Sequence, residues 1–244
     1  MNNYILPAEW YTQSCVQLTW PHEDTDWRDY LDDITETFCA DSQGCRHTYE
    51  PLVIAAKYPE RVREVLAESL NDDEMARVSI YESDNNDTWA RDHAFITLVS
   101  TTDASASCRL LDFRFNGWGE KFAADKDNRI NRTLYDKGVF SGERVDYDDF
   151  VLEGGSIESD GRGTVLTTSV CLMAPHRNQP MTQAEVETVL KERLCARKIV
   201  WFDYGQLIGD DTDGHIDTIV RVCPDNTLLY VGCDDAKRPA VCRP

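Results

Sequence analysis

The sequence is poor in basic residues and contains no long apolar run. Its 25 Lys and Arg residues are outnumbered by 44 Asp and Glu residues, so the formal net charge at pH 7 is −19. Such a charge repels nucleic acid and anionic membranes and is compatible with a cationic ligand, although solubility alone explains most of it. No apolar stretch is long enough to span a bilayer. We therefore expect neither nucleic acid nor a membrane as a partner.

The sequence also lacks signals for secretion and for metal binding. Residues 1–10 contain no basic segment followed by an apolar one, as a signal peptide would, and this favours a cytoplasmic protein. The nine cysteines are scattered, and none forms a close C-x-x-C pair with a histidine partner. We therefore expect reduced thiols and no bound metal.

Hydrophobic periodicity predicts three amphipathic helices, at Asp26–Cys39, Pro59–Leu70 and Thr182–Leu194. In the third helix, Thr182 followed by Glu185 forms a capping-box pattern. Short runs rich in β-branched and aromatic residues predict the strands. These are Leu52–Ala56, Val78–Tyr81, Ala94–Val99, Arg109–Phe113, Thr164–Thr168, Ile199–Phe202, Ile216–Val222 and Thr227–Val231. No linker rich in Gly, Pro or Ser interrupts them, which indicates one continuous α/β domain.

A faint internal repeat links these elements. Residues 52–113 and 164–231 both follow the order strand, helix, strand, acidic loop, strand, strand. The acidic loops, residues 86–93 and 209–217, both contain Asp-Thr followed by a late Asp. Modules too small to close their own cores favour a ring or propeller, in which both loops would point to a common centre. Chance similarity of acidic loops is an equally good explanation of the repetition alone.

Three polar clusters at strand ends suggest a site for a flat cation. They lie at residues 87–92, 152–157 and 214–217. A guanidinium is planar, stays charged, and presents N–H donors in a fixed fork that carboxylates match in pairs. Asp92 and Asp217 are candidates for two such grips from different loops. Trp89 is a candidate to stack on the cationic plane or to wall its slot.

Two further residues complete the candidate site. Glu153, followed by two glycines that allow close backbone approach, is a candidate to orient the ligand or a neighbouring histidine. His215 is a candidate acid/base because an imidazole can transfer protons near neutral pH, and its spacing of two from Asp217 predicts one shared side of a strand. Each residue also has a structural explanation, as a turn, cap or core group. The spacing of the acids does not match a calcium-binding EF-hand loop.

Taken together, six motifs in this order resemble the agmatine deiminases, which belong with the bacterial-type peptidylarginine deiminases in the guanidino-group modifying superfamily. The resemblance covers the chain from about Pro7 to Asp235. The motifs are Thr19–Pro21, Asn86–Asp92, Asn116–Gly119, Leu152–Ser156, Thr167–Thr168 with Arg177–Asn178, and Gly209–Asp217.

The resemblance implies a pentein fold, a ring of ββαβ modules around a polar centre, here incomplete. It implies that Asp92 and Asp217 hold the guanidinium nitrogens and that Trp89 lines the pocket. Glu153 would contact the substrate or His215, and His215 would be the acid/base. The implied reaction converts agmatine into N-carbamoylputrescine and ammonia without metal or organic cofactor.

The nucleophile of the family is a cysteine near the C-terminus, and here the sequence departs from the pattern. After Tyr230–Asp235, the tail at residues 236–244 does not resemble the family. We therefore divide the chain into a deiminase portion, 1–235, and an unmatched tail, and expect no turnover unless Cys15, Cys233 or Cys242 substitutes. A peptidyl-arginine deiminase and a non-catalytic binder of guanidino ligands are the alternatives, and homo-oligomers are compatible with both.

Overall fold

The computed structural model describes residues 3–48, 50–103, 107–205 and 207–232, with side chains left out for 44–48. The chain forms two compact units. Of the described residues, the large unit contains those in 3–11, 95–122 and 141–232, and the small unit contains those in 12–94 and 123–140. Within the described residues, no helix is both long and apolar enough to cross a bilayer.

Twelve strands and eight α-helices lie within the described ranges. The strands are β1 Tyr4–Ile5, β2 Val16–Thr19, β3 Leu52–Ala56, β4 Val78–Glu82, β5 Ile96–Ser100, β6 Arg109–Arg114, β7 Glu143–Val151, β8 Ile157–Ser159, β9 Thr164–Thr168, β10 Lys198–Phe202, β11 Val220–Cys223 and β12 Thr227–Tyr230. The helices are α1 Leu31–Thr48, α2 Pro59–Ser69, α3 Asp72–Met75, α4 Ala90–His93, α5 Gly117–Glu120, α6 Asp127–Asp136, α7 Ser169–Leu172 and α8 Gln183–Arg193.

The small unit is a parallel three-stranded sheet in the order β2-β3-β4, covered by helices on both faces. All five residues of β3 are buried, as expected for a central parallel strand. Alternate side chains of β3 pack on opposite faces because the strand period is two. Ile54 packs with Val62 and Leu66 of α2, whereas Val53 packs with Ile130 of α6.

The large unit contains three sheets, with strand orders β1-β5-β6-β7, β10-β9-β8 and β11-β12. Strands β9 and β10 are parallel and are connected through α8. The α8 residues Val186 and Leu190 are fully buried and join Val165 of β9 in the main hydrophobic core of this unit. The capping box predicted at Thr182 and Glu185 is confirmed, because each side chain bonds the other's backbone amide.

The α/β class and the repeated order of elements are confirmed. In each repeat a parallel pair joined through a helix precedes an antiparallel pair, β5–β6 or β11–β12. Closure into a ring and the domain boundary at residue 235 stay predictions. Cys233, Cys242 and the tail lie outside the described residues.

Several predicted bounds are wrong. The helix expected at Asp26–Cys39 is a 3-10 turn at Arg28–Tyr30 followed by α1, which continues to Thr48. The strand expected at Ile216–Val222 begins only at Val220, because Ile216–Thr218 is a 3-10 turn closed by bonds to the His215 and Ile216 carbonyls. The sequence does not predict strand β7 and helix α6, since polar residues interrupt their apolar patterns.

Candidate active site

Glu153 lies just beyond β7 in the large unit and is fully buried. Asn178 fixes the approach to it, since its side-chain amide bonds both the N–H and the carbonyl of Val151 at 2.9 Å. After Glu153 the chain turns at once, because the Ser156 hydroxyl and amide both donate to the Glu153 carbonyl, at 2.6 and 3.1 Å. The side chain is therefore held at a tight corner between β7 and β8.

The loop that carries His215 is organised around Asp210. The Asp210 carboxylate accepts the Thr212 amide at 2.9 Å and the Gly214 amide at 2.7 Å. The Thr212 hydroxyl then accepts the His215 amide at 3.1 Å. Burial alone would raise the pKa of Asp210, but the Thr212 hydroxyl, which donates to this carboxylate at 2.5 Å, and the Thr212 and Gly214 amides lower it below its ordinary value. An ionised carboxylate thus holds the loop closed. His215 at the end of this loop is buried, with 2 % of its surface exposed.

Three chemically active side chains meet at this corner of the large unit. One ligand-type atom each of Glu153, Cys171 and His215 lies within 4.8 Å of the other two. Thr168 at the end of β9 connects the segments that carry Cys171 and His215. Its hydroxyl accepts the Cys171 amide at 3.2 Å and donates to the carbonyl of Gly214, the residue before His215, at 2.6 Å. A buried carboxylate beside an imidazole is an arrangement suited to proton transfer.

A buried guanidinium supports this group. Arg177 donates to Glu153 Oε1 at 3.0 Å, to Asp213 Oδ2 at 2.6 Å and to the Thr212 carbonyl at 2.8 Å. Burial raises the pKa of the Glu153 carboxyl, and the Arg177 charge acts against that shift. Burial would also raise the pKa of Asp213, but bonds from Lys121 and Arg177 lower it.

The Trp89 loop belongs to the small unit. Asp127, the first residue of α6, accepts the amides of Asn86 at 2.7 Å and Asp87 at 3.3 Å. Asp87 in turn accepts the Trp89 indole N–H at 3.0 Å, so that the ring is oriented while 45 % of Trp89 stays exposed. Burial raises the pKa of Asp127 to about 7, against the effect of the two amide bonds.

Asp92 was predicted to lie at a strand end. It lies instead in α4 and is buried. Its neighbour His93 shares a hydrogen bond of 3.0 Å with Thr19, and burial lowers the pKa of this imidazole to about 4. His93 is therefore neutral at pH 7. Asn131 donates to the His93 carbonyl at 2.8 Å and so holds α4 against α6.

The predicted site residues thus fall into two groups. Glu153 and His215 are brought together in the large unit, and Trp89 and Asp92 share one loop and helix of the small unit. Asp217 is half-buried in the turn after His215, so the expected shared strand face of His215 and Asp217 is wrong. Convergence of Asp92 and Asp217 stays a prediction.

Glutamate, cysteine and histidine are also a ligand set for zinc. However, the guanidinium of Arg177 already bonds one Glu153 oxygen, and its charge would repel a metal cation placed beside that oxygen. We therefore interpret the group as a proton-transfer arrangement. That the protein uses no metal stays a prediction.

Three residues of this corner are underrated by sequence reasoning. Arg177 lies in a motif without a role of its own, Cys171 has the pattern of a small core residue, and Asp213 has that of a turn residue. Asp213 does have a left-handed backbone, with φ of 66°, but its carboxylate also binds Arg177. The sequence does contain one indication that Arg177 has a specific role. It is a single arginine between two prolines, in a stretch that is otherwise mainly apolar and amide-rich, residues 170–181.

Several solved structures that share this fold are deiminases. An agmatine deiminase of C. jejuni with substrate bound has a TM-score of 0.85 and 33 % identity, covering 96 % of this chain and 66 % of that one. An agmatine deiminase of Enterococcus faecalis has a TM-score of 0.83 and 26 % identity, covering 97 % and 63 %. This chain thus shares its fold with known deiminases.

Sequence comparisons specify the family. The profile of the Porphyromonas-type peptidyl-arginine deiminases matches residues 5–243, and this chain belongs to that family. The agmatine deiminase of Stutzerimonas stutzeri is 31 % identical over 247 residues, covering 99 % of this chain. This chain spans 64 % of the length of that relative and 63 % of the Pseudomonas aeruginosa agmatine deiminase, to which it is 30 % identical.

Proposed function

We propose that this chain binds the guanidinium group of a small cation and supplies the acid/base part of its hydrolysis, with agmatine as substrate and N-carbamoylputrescine and ammonia as products. The observation that carries the proposal is the buried Glu153–His215 group, held by Arg177 in a chain of the deiminase family. A buried carboxylate and imidazole are suited to moving the two protons that this reaction requires.

In the proposed reaction, a cysteine thiolate attacks the guanidinium carbon and forms a C–S bond. His215 donates a proton to the departing nitrogen, the C–N bond breaks, and ammonia leaves. His215 then takes a proton from water, and the resulting hydroxide adds to the carbon. The C–S bond breaks, the thiolate is restored, and the hydroxyl proton passes to solvent as the ureido product is released. Glu153 orients His215 or a substrate nitrogen. Asp92 and Asp217 fix the plane of the cation beside the sulfur, a gain in positioning.

The proposed reaction needs a cysteine nucleophile. The cysteines whose side chains the structure describes are Cys15, Cys39, Cys108, Cys171, Cys195 and Cys223, and none of these is in a disulfide. Cys171 lies beside His215 and has no exposed surface, so a substrate would have to displace its surroundings to reach the sulfur. Burial raises the pKa of Cys15 and disfavours its thiolate. We therefore propose that these 244 residues bind the substrate and do not turn it over.

A peptidyl-arginine substrate is the alternative, because the family profile is described by that activity. Trp89 is 45 % exposed, so the ring could border a small slot or a peptide groove. The two substrates differ at the end remote from the guanidinium, where agmatine has a second cation and peptidyl-arginine continues as backbone. The negative charge of the chain favours the doubly cationic agmatine.

Calorimetric titration with agmatine, an arginine-containing peptide and putrescine tests the proposal. We expect agmatine to bind, putrescine to bind at least tenfold more weakly because it lacks the guanidinium, and Glu153→Gln to weaken agmatine binding. His176→Ala is the matched control, since His176 is solvent-exposed and pairs only with Glu120 among its described ionic partners. Equal binding of putrescine and agmatine would refute the proposed guanidinium site. Ammonia release by the wild-type chain that is lost in Cys171→Ser would show that Cys171 is the nucleophile and would refute the proposal that the chain does not turn over its substrate.

A further inference from the structure

We infer that Arg177 is a positioning residue, which fixes Glu153 and the loop bearing His215 in one arrangement and thereby sets the affinity for a guanidinium ligand. This inference rests on the proposed function. Arg177 itself is not offered as a ligand contact, because its side chain has no exposed surface.

The Arg177 guanidinium connects the segment of Glu153 to the loop of His215. The three guanidinium nitrogens bond three acceptors from two segments, namely Glu153, Asp213 and the Thr212 carbonyl. A guanidinium is planar and rigid, so these bonds fix the segments in angle as well as in distance. His215 is two residues after Asp213. The Arg177 guanidinium therefore sets the positions of both Glu153 and His215.

The two oxygens of the Glu153 carboxylate differ in their hydrogen bonding. Arg177 takes Oε1, while Oε2 is buried and has no hydrogen-bond partner among the described residues. An unsatisfied buried carboxylate oxygen costs free energy, and such groups are retained where a ligand or a reacting group uses them. The Arg177 bond thus leaves Oε2 available in a carboxylate of which one oxygen lies within 4.8 Å of ligand-type atoms of Cys171 and His215.

The charges around Arg177 are balanced. Lys121 bonds Asp213 at 2.7 Å and the Asp211 carbonyl at 2.6 Å, so that two cations, Arg177 and Lys121, face two anions, Glu153 and Asp213. Removal of Arg177 would leave a buried Glu153 without its counterion. Glu153 would then take up a proton and lose the negative charge that attracts a guanidinium.

The test uses the whole chain with Arg177→Gln, Arg177→Lys and the control Arg144→Gln. Arg144 forms a comparable ion pair with Asp112 at 2.6 Å in the same unit and has no role in the proposed site. Agmatine affinity is measured by calorimetry from pH 6 to pH 9, with thermal melting to verify folding. We expect a loss of at least tenfold at pH 7 in Arg177→Gln, partly recovered at high pH as Glu153 ionises, and a smaller loss in Arg177→Lys.

A second readout needs no ligand. The chain has five histidines, and the ring signals of His215, assigned through His215→Ala, are followed by NMR against pH. We expect these signals to change in Arg177→Gln and not in Arg144→Gln. An unchanged His215 titration together with a wild-type pH profile of affinity would overturn the inference.

The two proposals fail separately. If the wild-type chain does not bind agmatine, the proposed function fails, and the His215 signals still decide the role of Arg177. If Arg177→Gln does not fold, Arg177→Lys retains the charge and carries the test: wild-type signals and affinity in that folded variant would overturn the claim that the fork geometry matters.

Discussion

Thr168 and Gly214 are joined by a hydrogen bond of 2.6 Å, from the threonine hydroxyl to the glycine carbonyl. The same hydroxyl accepts the Cys171 amide, so one buried oxygen ties the end of β9 to helix α7 and to the residue before His215. We expect Thr168→Val to lose about 1–3 kcal/mol of unfolding free energy, because two buried polar groups lose their partner. Urea denaturation measures this loss.

Thr168→Ser is the matched control, because it keeps the hydroxyl and removes only a methyl group. We expect Thr168→Ser to retain agmatine affinity within a few-fold and Thr168→Val to lose more. Equal stability of the two variants would contradict a role for the hydroxyl.

Asp127 makes stability depend on pH in a predictable direction. Its pKa is about 7 in the folded chain, against an ordinary value of 3.8. The folded state therefore holds a proton that the unfolded state releases between pH 4 and pH 7, and the stabilisation is complete below this window and lost as pH rises through it. The loss amounts to about 4 kcal/mol, at roughly 1.4 kcal/mol for each unit of pKa.

The comparison that isolates this effect is wild type against Asp127→Asn, with the unfolding free energy measured in urea at pH 5, 6, 7 and 8. The asparagine keeps an oxygen for the Asn86 amide but does not titrate. We expect wild type to lose stability relative to the variant as pH rises. Parallel curves would show that Asp127 is already ionised at pH 5.

Gly117 occupies a turn that no other residue fits. Its φ is +68°, and a Cβ there would lie 2.2 Å from the Phe122 carbonyl oxygen. We expect Gly117→Ala to lower the melting temperature strongly, by a loss of about 3–5 kcal/mol, since the backbone itself must move.

Gly138→Ala provides the control for backbone conformation alone. Gly138 has a similar φ of +74° with nothing within 4 Å of its Cβ position, so the expected loss is about 1–2 kcal/mol. Similar melting temperatures for the two variants would mean that the Phe122 contact relaxes freely.

The outer strand β12 exposes a hydrophobic surface in the described structure. Leu229 and Tyr230 are 63 % and 71 % exposed, and β12 pairs only with β11 among the described strands. Exposed apolar edge strands favour association. We expect the chain to sediment as oligomers that shift toward monomer in Leu229→Lys. A single monomeric species in wild type at tens of micromolar would contradict this expectation.

Much of the fold is predictable from local pattern. The bounds of β3 and β9 and the capping box of α8 match the prediction, because buried parallel strands and helix caps have strong local signatures. The prediction of a strand from Ile216 is wrong because the local apolar pattern is not specific for a strand. An apolar run that comes after a carboxylate-capped loop can close as a 3-10 turn, and periodicity does not register that competition.

The sequence by itself indicated the family and the candidate groups, which are carboxylates, an imidazole and an indole at the ends of predicted strands. Only the tertiary structure decided that Glu153 and His215 meet and that Arg177 pairs with the Glu153 carboxylate. The physical reason is distance along the chain. Residues 153, 177 and 213 are brought together by sheet pairing and loop closure, and their charges become partners only once water has been excluded.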